Sequence, residues 1–256
     1  MKPDSQSFPF RLITLDETDS TNNFLAALCD NGEEVAEFTT VCADFQSAGK
    51  GQRGNSWESE LGKNLLFSYV TYPFFVKPRD QFVLSEIASL SVKEALDCHI
   101  GDVTVKWPND IYWRDKKICG MLIENVLGDH GLARSIAGIG ININQQVFRS
   151  DAPNPVSLSQ ITEKEEDLHA VLADVLLFVS RYYEDLRLNE EQTTKLLSEK
   201  YNQSLYRREG YYPFADREGE FMASILRVEP DGRLHLLDTE GLERSYLFKE
   251  VQFILR

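Results

Sequence analysis

Residues 103–143 read VTVKWPNDIYWRDKKICGMLIENVLGDHGLARSIAGIGINI. Three apolar, β-rich runs follow one another here: 103–107 with 111–113 beyond an interruption, then 118–126, then 133–143. Arg114-Asp115-Lys116-Lys117 and Gly128-Asp129-His130-Gly131 are the polar turns between them. Connections this short join antiparallel neighbours, because a parallel crossover needs a dozen or more residues. The stretch therefore predicts an antiparallel or mixed sheet and excludes a nucleotide-binding βαβ succession. Pro108 ends ladder pairing, so Asn109 and Asp110 are expected to project from a strand end.

Working outward, residues 84–98 place Leu84, Ile87, Ala88, Ser91, Val92, Ala95 and Leu96 on one helical face. Residues 64–72 read as a strand stopped by Pro73, and 38–45 as another. Residues 18–28 read as a helix that begins near Ser20 and leaves through Cys29-Asp30-Asn31-Gly32. Downstream, Thr162-x-x-Glu165 resembles a capping box ahead of the stripe Leu168, Val171, Leu172, Val175, Leu176 and Val179, a core-packing pattern. After Tyr206 the texture changes to short strands at 221–228, 233–237, 243–248 and 251–255. Pro230-Asp231-Gly232 and Thr239-Glu240-Gly241 divide them. The expected class is α+β, with helices flanking a mixed or antiparallel sheet over residues 1–205 and a small β-barrel over 206–256.

The chain has 256 residues and a formal net charge of −14, which leaves no basic excess for general nucleic-acid binding. Cys29, Cys42, Cys98 and Cys119 form no C-x-x-C pair, and His99, His130, His169 and His235 have no metal-ligand spacing. No run approaches the roughly 20 apolar residues of a membrane span, and residues 1–10 lack the apolar core of a signal peptide. Cytoplasm is the expected compartment. An exposed sheet edge would allow two copies to pair, so a homodimer stays open.

Four segments carry chemistry. Gln46-Ser47-Ala48-Gly49-Lys50-Gly51-Gln52-Arg53-Gly54-Asn55-Ser56-Trp57 has three glycines within six residues, two cations and a flat indole. It reads either as an anion-approaching loop or as an ordinary surface loop. It is not a P-loop, since no Gly-Lys-Ser/Thr follows at the required spacing. Lys106-Trp107-Pro108-Asn109-Asp110 offers an amide and a carboxylate that bind a nucleotide or magnesium, or merely shape a turn. Lys117 stands where a polar turn meets an apolar strand, either entering a pocket or remaining solvated. Ala137-Gly138-Ile139-Gly140-Ile141-Asn142 places glycines inside a strand, the mark of a bulge or of close approach to a ligand.

In this order, and with Ser20-Thr21-Asn22 ahead of them, these segments resemble the biotin protein ligase family across essentially the whole chain. The resemblance implies a class II synthetase-like catalytic core and a C-terminal SH3-like barrel. It also implies activation of biotin by ATP to biotinyl-5′-AMP and transfer to a lysine of a biotin carboxyl carrier protein. Ser20, Thr21, Asn22 and Gln46 would meet the ureido ring. Lys50, Gly51 and Gln52 would close over biotin, and Gly120, Leu122 and Gly138 would wall it. Lys117 would contact the biotin carboxylate and the phosphate, with Lys50 and Arg53 as further catalytic cations. Trp57, Lys106, Asn109 and Asn142 would hold ATP, and Asp110 would organise Mg2+. The family's bifunctional members carry a DNA-binding domain ahead of these motifs. With the first motif at Ser20, the monofunctional kind without DNA binding is expected. The alternative within the superfamily is a lipoate or octanoate ligase or transferase.

Two positions depart from the family loop: Lys50 stands where arginine is usual, and Gln52 where a second arginine often sits. Lysine is a point charge without arginine's bidentate fork. A glycine-rich loop that shields a hydrolysable adenylate should order when the ligands bind. Amide exchange across residues 49–54 should therefore slow on adding biotin with ATP, and unchanged protection would contradict a lid.

Overall fold

The computed structural model describes residues 10–32, 34–51, 56–129, 131–149 and 154–255. Gln52, Arg53 and His130 lie outside them. Twelve strands and five α-helices are described. β1 (Leu12–Thr18), α1 (Thr21–Asp30), β2 (Thr40–Gln46) and β3 (Leu65–Thr71) come first, then α2 (Phe82–Asp97), β4 (Val103–Lys106) and β5 (Asp110–Trp113). β6 (Lys116–Leu127) and β7 (Leu132–Ile141) form the long hairpin that the opening stretch predicts, and α3 (Leu158–Thr162), α4 (Leu168–Leu188) and α5 (Glu190–Gln203) follow. β8 (Tyr212–Asp216), β9 (Gly219–Val228), β10 (Leu234–Asp238), β11 (Glu243–Tyr246) and β12 (Gln252–Phe253) complete the order.

The first seven strands make one sheet, ordered β1-β2-β3-β7-β6-β5-β4. Only β1 and β2 run parallel, so the sheet is mixed, as expected. The last five strands make an antiparallel sheet ordered β11-β10-β9-β8-β12, in the region where the small SH3-like module was expected.

Side chains on a strand alternate between faces. On the face toward α2, α4 and α5, Leu65, Phe67 and Tyr69 of β3 join Ala137, Ile139 and Ile141 of β7 and Cys119 and Met121 of β6 in the main core. Val171, Leu172, Val175, Leu176 and Val179 of α4 pack there too, so the stripe is core as read. The core continues into the second sheet through Phe214, Ile225, Leu234 and Leu236. The opposite face carries a smaller cluster that includes Leu25, Val41, Val70 and Ile136 under α1, and beyond it no helix of the described residues packs on the sheet.

Two sequence expectations are corrected, and two strands are added. The run broken at Pro108 is a tight hairpin, with Val103 pairing Trp113 and Lys106 pairing Asp110, and its Trp107–Pro108 bond is cis. The capping box is not at Thr162: Ser157 and Gln160 form it at the start of α3, while Asp167 caps α4 by accepting from the His169 and Ala170 amides. β1 and β8 were not anticipated.

α2 also buries Glu86, which is 1% exposed and has one carboxylate oxygen without a hydrogen-bond partner among the described residues. Burial pushes its pKa up to about 8 from 4.5. Between those values the unfolded chain has released this proton and the folded chain keeps it, so stability falls as pH rises through the window. Glu86→Gln should flatten that fall and stabilise the protein by about 1–3 kcal/mol at pH 7. Denaturant midpoints from pH 5 to 8 that are parallel for both proteins would refute this.

Candidate active site

The site is floored by the uncovered face of the large sheet. Register places Ser68, Gly138 and Leu122 side by side across β3, β7 and β6. The next row on the same face runs Leu66, Gly140, Gly120, Asp110 and Lys106. A cavity of about 650 Å³ stands over these rows, lined also by Ser20, Thr21, Asn22, Gln46, Lys50, Gly51 and Trp57. The glycines are required by what lies above them. A Cβ at Gly138 would overlap Asn22 Oδ1, and one at Gly140 would come within 2.5 Å of the Trp57 indole.

The closed end of the cavity is neutral and polar. Ser20 is the N-cap residue of α1, in extended conformation, so the helix begins inside the site and buries Thr21 and Asn22 on arrival. Gln46 Oε1 accepts from the Thr21 backbone N–H at 2.8 Å and from its hydroxyl at 3.1 Å. A backbone N–H can only donate, so this bond settles which way the Gln46 amide points and leaves its NH2 on the Gly49 side. Ser68 Oγ lies 2.7 Å from Thr21 Oγ1 and 2.6 Å from Asn22 Oδ1. Asn22 Nδ2 donates to Glu124 Oε2 at 2.7 Å and to the Leu122 carbonyl at 3.3 Å.

The other end is cationic. Asp110 stands between two lysines, with Oδ1 at 2.7 Å from Lys117 Nζ and Oδ2 at 3.8 Å from Lys106 Nζ. Burial lowers the Lys106 pKa, the Asp110 carboxylate opposes that shift, and Lys117 reinforces it. The Lys106 ammonium also faces two rings, Phe253 at 4.9 Å and Tyr112 at 5.4 Å from the centroids. Phe253 belongs to β12, and Phe248, Lys249, Val251, Gln252 and Leu255 line the cavity beside it. The second sheet is therefore one wall of the site. Trp107 anchors it, donating its indole N–H to the Gly232 carbonyl at 2.9 Å.

Most residues singled out from the sequence meet in this one cavity, with some differences in what they do there. Trp57 lies on Gly120 and Gly140 with Lys117 Nζ 5.7 Å from its ring, and its indole N–H has no hydrogen-bond partner among the described residues. Lys50 donates to Asn23 Oδ1 at 2.7 Å, at the loop's edge. Asn109 lines the cavity while its amide donates to the Met121 carbonyl. Asn142 is not among the lining residues: its amide donates to the Val156 carbonyl at 3.2 Å and pins the chain after β7. Asp110 does not form a magnesium site by itself, because both its oxygens face ammonium groups. No group of three or more His, Cys, Asp or Glu suited to a metal occurs among the described residues. Sequence reading missed Ser68, Glu124 and Phe253. Ser68, a small polar residue at the middle of a strong strand, was the one detectable signal.

Residues 15–142 match the Biotin/lipoate A/B protein ligase family. The bifunctional ligase/repressor of Bacillus subtilis (strain 168) is 30% identical over 242 residues, spanning 92% of this chain and 72% of that protein. The biotin–[acetyl-CoA-carboxylase] ligase of Paracoccus denitrificans is 30% identical over 164 residues, 61% of this chain and 64% of its own. Among solved structures, the biotin protein ligase of Aquifex aeolicus in complex with biotin and ATP superposes with a TM-score of 0.76 at 29% identity. That match covers 96% of this chain and 99% of the other. The chain belongs to the biotin/lipoate A/B protein ligase family.

Asp110 is the counter-charge that lets two ammonium groups share a confined space. Asp110→Asn should lower stability by about 2 kcal/mol, the scale of a lost hydrogen bond to a charged group. Chemical denaturation checks this, and an unchanged midpoint would mean the lysines do not need their carboxylate.

Proposed function

We propose that the chain activates biotin with ATP to biotinyl-5′-AMP and then transfers biotin to a lysine of a carboxylase's biotin carrier domain. The observation that carries this is the polarity of one cavity. A neutral end with its hydrogen-bonding directions set by Thr21, Asn22, Gln46 and Ser68 lies across a glycine floor from a lysine pair. A cyclic urea presents a carbonyl between two N–H groups, and the closed end offers the Gln46 NH2 and the Asn22 carbonyl oxygen. A flexible alkyl acid would offer neither group a partner, and the Gln46 NH2 would lose a hydrogen bond of about 0.5–1.5 kcal/mol that the cyclic urea supplies. The Aquifex aeolicus ligase, with biotin and ATP bound, supports the same pairing of ligands.

The reaction is difficult because a free carboxylate has no leaving group and must approach a polyanion. A biotin carboxylate oxygen attacks the α-phosphorus of ATP, forming the mixed anhydride and releasing pyrophosphate. The carrier lysine's amine, having lost its proton, then attacks the acyl carbon and expels AMP. Lys117 and Lys106 supply positive charge where the two anions meet, in a protein whose net charge is −14. Asp110 holds Lys117 Nζ in place. Magnesium arrives with the nucleotide, as part of that substrate. Water must be kept from the anhydride, and the indole of Trp57 and the loop of Lys50 and Gly51 are the groups placed to do so.

We assign residues 1–205 to the catalytic domain and 206–256 to a small module that walls the lysine end of the cavity. Four unpaired cysteines fit a reducing compartment, and we place the protein in the cytoplasm.

Pyrophosphate exchange with biotin, compared against lipoate and octanoate, tests the reading directly. Biotin alone should support exchange, and a preference for either other acid would reassign the chain within its family. Lys117→Ala should form adenylate about a hundredfold more slowly while remaining folded. Equal rates for the two proteins would remove Lys117 from the chemistry.

A further inference from the structure

We propose that Glu124, an exposed residue of β6 outside the cavity lining, is a positioning residue that sets the hydrogen-bonding direction of the biotin end by orienting the Asn22 amide. The inference rests on the biotin reading above and deepens it.

An asparagine amide has two chemically opposite edges, and which edge faces a ligand decides what the ligand can be. Asn22 lies across Gly138, bridging β3 and β6, with Ser68 at one edge and Glu124 at the other. An ionised carboxylate only accepts, so the edge 2.7 Å from Glu124 Oε2 must be the NH2. The Leu122 carbonyl favours the same direction, but at 3.3 Å and without charge it is the weaker contact. The amide oxygen is thereby turned over Gly138 toward Ser68, where it accepts. A backbone N–H fixes Gln46 independently, from the far side. The closed end thus presents an acceptor on Asn22 and a donor on Gln46, the reverse of what the ring of a cyclic urea presents. Without Glu124 only the weaker Leu122 contact holds that direction, and the Asn22 amide can turn over, facing its NH2 toward the ligand's N–H groups.

A staple that merely held α1 onto β6 would affect all substrates alike. An orienting group acts on one. In pyrophosphate exchange, Glu124→Ala should raise the KM for biotin about tenfold, leaving kcat and the KM for ATP within about threefold of wild type. Glu124→Gln still accepts through its carbonyl oxygen and should restore the biotin KM to within about threefold. The Asn22 side-chain NH2 signals in a 15N spectrum should shift in the alanine variant and return toward wild type in the glutamine variant. The proposal is overturned by a biotin KM that Glu124→Ala leaves within about twofold, by biotin and ATP values that rise together, or by a glutamine variant as impaired as alanine. A wild-type chain that exchanges pyrophosphate with lipoate or octanoate but not with biotin overturns the parent reading along with it. A biotin-active wild type indifferent to Glu124 overturns the orientation alone.

Discussion

Strands expose alternate residues on opposite faces, and in this sheet the alternation sorts two incompatible demands. One face must be apolar and filled, because α2, α4 and α5 pack on it. The other must be bare enough to admit a ligand down to the backbone. β7 meets both with Ala137-Gly138-Ile139-Gly140-Ile141, where the larger residues enter the core and the glycines open the floor. A slip of one residue would place the glycines in the core and the isoleucines in the cavity, destroying both at once. The long β6–β7 ladder, from Cys119 pairing Ile141 to Leu127 pairing Leu132, holds the register against that slip.

Charge is handled with similar economy. The protein is acidic overall, yet the cavity gathers Lys106 and Lys117 around a single carboxylate. Concentrating cations in a concave, partly dry space strengthens their field where phosphate and carboxylate must meet. Asp110 reduces the repulsion between them without neutralising the pair, so one positive charge remains for an incoming anion. Aromatic faces stand where water would otherwise solvate Lys106, and this keeps the ammonium available to a ligand.

Much of this was readable before the structure, and the exceptions share a cause. α1, α2, the β6–β7 hairpin and the α4 stripe follow from local periodicity, and each lies where its pattern puts it. β1 was missed because LITLDET is a half-exposed edge strand that pairs, among the described residues, with β2 alone, and nothing local distinguishes it from a loop. The hairpin at Pro108 was read as one interrupted strand because the chain reverses within Trp107-Pro108-Asn109. Within the site, the motifs named the lysines, the glycines and the α1 residues. They could not show that Asn22 reaches Glu124, that Asn142 is spent on Val156, or that Phe253 covers Lys106. Those contacts depend on which strands become neighbours, a property of the assembled sheet.

The wall supplied by residues 248–255 has a consequence for the order in which the molecule comes into being. The floor, α1 and both lysines lie within residues 20–140, and they emerge early during synthesis from the N-terminus. Phe248, Val251 and Phe253 are made more than a hundred residues later than the floor they face. The lysine end of the cavity therefore gains its wall only once residues 248–255 have been made and have docked, well after the floor itself.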